Sequence, residues 1–146
     1  MANVNIRREF LTAGDAVFTV KNHASGNHYT YRIAPPKTQK DPNNPIYFVS
    51  ALVGPDNTSD YAYMGLLIVQ KDWENWKVVK TAKSSWGPET TIFKALVWAI
   101  KVVVEQQTIP DVYSIKHSGH CGRCGRLLTE PESIDCGIGP ICRTLL

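Results

Sequence analysis

Two cysteines separated by two residues, each followed by glycine, stand at Cys121-Gly122-Arg123-Cys124-Gly125-Arg126. Thiols at this spacing sit on one tight turn and can point at a single ion. The glycines let backbone amides turn inward and donate to the sulfurs. A second ligand group must come from further along, and Cys136-Gly137-Ile138-Gly139-Pro140-Ile141-Cys142 provides it. Cys142 is placed to open a short C-terminal helix. The full spacing is Cys-x2-Cys-x11-Cys-x5-Cys. Its first half is typical of structural zinc, whereas the x5 gap is looser than usual. Cys121, Cys124 and Cys142 are therefore expected to hold one structural Zn²⁺, with Cys136 or His117 as the fourth ligand. His120 is a weaker candidate, because its adjacency to Cys121 strains a shared tetrahedron.

Other chemistries for the pair fit less well. A thioredoxin-like redox pair would lie between a buried strand and a long helix and would need no cysteines downstream. Haem attachment needs a histidine after the second cysteine, where Gly125 stands. A catalytic zinc keeps one position open, and four plausible ligands argue for a closed site. No Ser/His/Asp order, paired-carboxylate spacing or nucleotide fingerprint stands out, and Gly137 to Pro140 lacks the lysine and hydroxyl residue of a phosphate loop. The expectation is a protein that is not an enzyme.

The elements that must position this group follow from patterning. The chain has 146 residues, 43% hydrophobic and 20% charged, which suits a globular domain with a small appendage. Ala16–Val20 and His28–Ile33 are β-rich runs joined by a turn-prone stretch, and they predict a hairpin. In its second strand Tyr29, Tyr31 and Ile33 share one face, with His28, Thr30 and Arg32 on the other. Ile46–Val53, Tyr61–Val69 and Trp76–Thr81 predict further strands. Pro88-Glu89 opens a helix to about Glu105, because proline suits the first helical position and an acidic residue complements the dipole. Ile92, Phe93, Leu96, Ala99, Ile100 and Val103 would bury one face of it. Asp111–Lys116 could return as an edge strand.

The expected fold is α+β: an antiparallel sheet packed with one main helix, plus a small zinc-ribbon or treble-clef-like module. Residues 1–110 would form the first unit and residues 111–146 the second, which is small enough to need a metal. The N-terminus shows no apolar signal segment, and Ala95 to Val104 is too short to cross a bilayer. A cytoplasmic location follows, where four cysteines are better read as metal ligands than as disulfides. In that setting the sequon at Asn57-Thr58-Ser59 carries no meaning.

The tail motif, from His117 through Cys121-Gly-Arg-Cys124-Gly-Arg to Gly137-Ile-Gly-Pro-Ile-Cys142, resembles a small C-terminal motif of phage and prophage proteins in a family of unknown function. Upstream segments around Tyr29–Arg32, Tyr47–Ser50 and Tyr63–Gly65 look like the N-terminal part of such proteins. The resemblance implies a phage-related origin in a bacterial host and no established activity. In that family's pattern a histidine matching His117 is common and the position of Cys136 is usually not cysteine. The resemblance thus favours His117 as the fourth ligand.

Tyr29, Tyr31, Tyr47, Tyr61 and Tyr63 fall on predicted strands near Arg32 and Lys21. On an exposed face they could stack single-stranded bases while the cations meet phosphates. The plainer expectation is an aromatic face packed on the helix. Trp98, on the helix side of Lys94 and Lys101, could anchor a partner protein or receive the zinc module. Trp73, Trp76 and Trp86 share that ambiguity. Asp56, Asn57 and Asp60 are most simply turn residues, and His23 and His28 solvated ones. The net charge of +3 lies in residues 1–110 (12 Lys/Arg, 9 Asp/Glu), while residues 111–146 hold four of each. The reading is a binding protein, nucleic-acid-associated, with a protein–protein binder such as an inhibitor of a host defence complex as the alternative class.

Overall fold

The computed structural model describes all residues except 1, 4, 5, 42, 56–59, 70–75, 130, 145 and 146, and the side chains of 2, 3, 131, 135 and 143. Asp56, Asn57, the sequon and Trp73 lie outside the described residues. In chain order the elements are β1 (Ala2–Asn3), α1 (Arg8–Leu11), β2 (Ala16–Asn22), β3 (His28–Ala34), β4 (Ile46–Leu52), β5 (Tyr61–Val69) and β6 (Trp76–Val79). There follow α2 (Thr91–Glu105), β7 (Thr108–Ile109), β8 (Tyr113–His117), α3 (Pro131–Cys136) and α4 (Pro140–Thr144). The fold is α+β, an antiparallel sheet with one main helix and a C-terminal cysteine cluster.

Six strands form one sheet in the order β6-β5-β4-β3-β2-β8. Every neighbouring pair is antiparallel, so β2 to β6 run as a meander. After α2 the chain returns to lay β8 along β2, with Val20 opposite Ile115 and Phe18 opposite His117. The expected hairpin, strands and edge strand are thus present. A break in register between Val49 and Ser50 gives β5 one extra residue, Met64. That bulge keeps both halves of β5 in phase with the inner face.

Strict alternation sorts the sheet residues onto two faces. Inward go Phe18, Tyr31, Ile33, Val49, Ala51, Met64 and Leu67, all 0–1% exposed. Against them α2 lays Phe93, Leu96, Ala99, Ile100, Val102 and Val103. Burying an aromatic or branched side chain of this kind stabilises by about 1.5–3 kcal/mol each. Tyr31 Oη donates to Ile92 O at 2.7 Å, so the hydroxyl buried with the ring is satisfied. Burial, and then Tyr29 beside it, push the Tyr31 phenol far above its usual range.

The helix starts at Thr91 rather than at Pro88. Thr90 is the capping residue in extended conformation, and its N–H and hydroxyl both turn back to Gly87 O, at 3.1 and 2.7 Å. Pro88 therefore belongs to the turn before the helix. At the other end Gln106 caps in the left-handed region with φ 51°. Its side-chain Nε2 donates to Val103 O at 2.6 Å and Ile6 O at 3.1 Å. This ties the N-terminal segment to the end of α2 and fixes a conformation usually left to glycine.

Candidate metal centre and binding surfaces

The Cys121–Cys124 turn is built by the backbone. Cys121 N–H donates to Arg126 O at 2.8 Å, and Gly125 N–H to Cys121 O at 2.9 Å. Gly125 has φ +78°, which its lack of a side chain permits. Gly122 answers a different need, since a Cβ there would stand 2.5 Å from the Phe10 ring. Phe10, from α1, is wholly buried and also lies against Gly137 and the His117 ring. Two backbone bonds complete the seam: Asp15 N–H to Gly122 O at 2.6 Å and Gly122 N–H to Gly137 O at 2.8 Å. Cys121, Leu128, Ile138 and Cys142 join the same hydrophobic cluster as the sheet core.

The sulfurs of Cys121, Cys124 and Cys142 all lie within 4.8 Å of one another. Sulfurs sharing one zinc at about 2.3 Å stand roughly 3.8 Å apart, so small side-chain shifts would bring these three onto an ion. All-thiol donors suit soft or borderline metals such as zinc. Cys121 and Cys142 are 1% and 6% exposed, whereas Cys124 faces solvent.

Amides also prepare the site for thiolate. Gly139 N–H and Arg123 N–H donate to Cys121 Sγ at 3.3 and 3.4 Å. Burial works against a Cys121 thiolate, but the amides of Gly139, Cys124 and Arg123 and the Cys124 side chain outweigh it and bring the thiol down to about 7. Burial pushes the Cys142 thiol up, opposed by a 3.7 Å hydrogen bond from Arg123 Nη1. Residues 121 to 142 thus form a three-thiol group able to hold a metal ion.

The two candidates for a fourth ligand stand outside this group among the described residues. His117 Nε2 donates to Ile134 O, and its Nδ1 accepts from Gly119 N–H at 2.9 Å. Both ring nitrogens thus join β8 to its neighbours. Cys136 Sγ lies 3.5 Å from Ile138 O and 4.0 Å from Ser133 O. His120 Nδ1 donates to Gly125 O at 3.1 Å.

The remaining site residues separate onto different surfaces. Tyr31 is wholly buried beneath α2 and is withdrawn as a stacking platform, because inward alternation places its ring in the core. Tyr29 and Tyr47 pack against the core as well. Tyr29 still lines a groove of about 330 Å³ with Lys94 and Trp98. There the Trp98 ring lies 5.4 Å from Tyr113, so the tryptophan is half-buried rather than a free anchor. Lys94 and Lys101 are exposed on α2. Arg32 faces the other side of the sheet, its Nε 3.0 Å from Asp15 Oδ1.

That outer face carries Phe48, Tyr61 and Tyr63. Phe48 and Tyr63 pack edge-to-face at 6.2 Å, and Phe48 is 41% exposed. With them lie Arg32, Lys21, Lys116 and Lys77, assigned to this face by the strand registers. None of these residues is buried. A cavity of about 610 Å³ on this face is bounded by Arg32, Tyr61, Thr30 and Asp15, with His120 and Gly125 of the cysteine turn among its lining residues. Phe48 was missed in the sequence, although alternation against buried Val49 and Ala51 places it outward. Tyr113 was missed because nothing in an edge strand tells which helix residue it meets.

Residues 114–146 match a family of unknown function, DUF6011. The match begins in β8 and covers the whole cysteine group, so the motif includes the strand that anchors the module to the sheet. No curated protein and no solved structure matches the chain. Among the described residues no helix is long and apolar enough to cross a membrane.

Proposed function

We propose that this is a zinc-binding accessory protein of phage type that acts by binding, with single-stranded nucleic acid as its ligand on the outer sheet face. One observation carries the reading: Phe48, Tyr61 and Tyr63 share a face with four cations, and none of these residues is buried. Aromatic faces stack on bases of any identity while cations meet the phosphates. The tyrosines that serve are those facing away from α2, and the cysteine turn borders the same surface through His120 and Gly125. Zinc is the metal favoured by two cysteines on such a turn with a third from α4. Its role there is to hold the turn in place.

The test is metal analysis of the purified chain beside a binding titration with a single-stranded oligonucleotide at low and moderate salt. One zinc per chain and binding that weakens steeply with salt are expected. Zinc with no binding at low salt overturns the nucleic-acid reading.

A second reading, a protein partner such as a host defence complex, is favoured by Leu127 and Ile141, which stand 69% and 70% exposed beside the cysteines. Apolar contact of that kind is far less sensitive to salt, so the same titration against a captured partner separates the two.

A further inference from the structure

A cavity of about 490 Å³ opens on the module, lined by Cys121, Cys124 and Cys142 together with Arg123, Arg126 and Ser133. Ser133 is 1% exposed, and its Oγ has no hydrogen-bond partner. A buried hydroxyl left unpaired is costly, and beside a cavity its natural partner is a polar atom of a ligand. His117 spends both ring nitrogens on backbone groups, and Cys136 lies against two carbonyls. The three thiols therefore face a cavity into which neither expected fourth ligand points.

The chemistry of the donors selects what would fit. Three thiolates around a divalent ion leave a single negative charge, so a neutral donor adds no further repulsion. An imidazole that ligates through one nitrogen presents its other N–H to a nearby acceptor. Ser133 Oγ is a buried oxygen free to accept it.

We propose that the metal centre keeps its fourth position open to this cavity and takes there an imidazole from outside the chain, its second N–H accepted by Ser133 Oγ. The inference rests on the three cysteines being a metal centre, and its test separates the two.

The full chain, His117→Ala and Ser133→Ala are each loaded with cobalt(II) and titrated with imidazole, following the visible bands of the metal. The unaltered protein binds cobalt, and its bands shift saturably with imidazole. His117→Ala behaves in the same way. Ser133→Ala keeps its cobalt but binds imidazole roughly tenfold or more weakly. Cobalt bound with bands that imidazole does not move overturns the open position. If only His117→Ala then responds, His117 is the ligand that closes the site. Undiminished imidazole affinity in Ser133→Ala removes the serine from the site. Failure to take up any cobalt overturns the metal centre itself.

Discussion

The sheet with α2 and the cysteine module hold together in different ways. The first buries Phe18, Tyr31, Ile33, Met64, Leu67 and Leu96 almost completely, a core that hydrophobic burial alone can sustain. The second offers Cys121, Leu128, Ile138 and Cys142, and its helices have six and five residues. Helices that short are not stable by themselves. The contrast teaches that the module, unlike the sheet, leans on the seam around Phe10 and would gain most from a metal held by its three thiols.

The largest effect expected is therefore on the module. Cys121→Ser or Cys142→Ser should release the metal and unfold residues 118–144 while the sheet persists. Structural zinc contributes on the order of 10–16 kcal/mol in small zinc modules. Metal content and amide hydrogen exchange along the chain check this. Full metal occupancy in both variants would remove the site. Falling pH acts in the same direction without mutation, because the ligands must be deprotonated. In the metal-free chain Cys121 is lowered to about 7, so below that pH protons compete with the metal for this sulfur. Apparent metal affinity, measured by competition with a chelator, is thus expected to fall more steeply with each pH unit below about 7 than above it.

Next comes the seam. Phe10→Ala should cost about 3–5 kcal/mol, as for other buried aromatics, and should also weaken metal binding. The ring touches the positions of both Gly122 and Gly137. A drop in thermal midpoint with unchanged metal affinity would show that the module is set independently of the body.

What could be read beforehand follows the same division. β-rich runs between turn segments marked β2 to β5, with period-2 alternation in β3, and 3.6-residue spacing marked α2, because burial on one face leaves a repeating signature. Thr90 displaced Pro88 as the helix start because a cap depends on which carbonyl it meets, here Gly87 O. The role of α1 was hidden, since four residues carry no period and Phe10 gains its meaning only from glycines more than a hundred positions away. In the module the cysteine spacing was legible, as ligand chemistry is local. The positions of His117 and Cys136 were not, because spacing fixes reach but not which hydrogen bonds compete for a side chain. The tyrosines show the limit most clearly: Tyr29, Tyr31, Tyr47, Tyr61 and Tyr63 all lie on strands, and only the register divides Tyr61 and Tyr63 from Tyr31.

That division leads to a smaller effect. Tyr61→Ala and Tyr63→Ala should each weaken oligonucleotide binding by about 1–3 kcal/mol, the usual worth of one stacked base. Tyr29→Ala, on the α2 side, should alter binding little. Equal losses for all three, measured by fluorescence anisotropy at low salt, would mean that the outer face is not the binding surface.

The smallest effect has the most informative sign. Asp15 pairs with Arg32 at 3.0 Å on the outer face, with both side chains more than a third exposed. Exposed pairs of this kind contribute about 0–1 kcal/mol, so Asp15→Asn should barely move the thermal midpoint. The main-chain bond from Asp15 to Gly122 survives the change. What the substitution does remove is the negative charge that competes for Arg32. If phosphates are the ligand, affinity at low salt should rise, and the salt dependence should grow by the equivalent of about one further phosphate contact. A protein partner docking on Leu127 and Ile141 would not register the change. Unchanged or weakened oligonucleotide binding by Asp15→Asn would thus set the sheet face aside and move attention to the module.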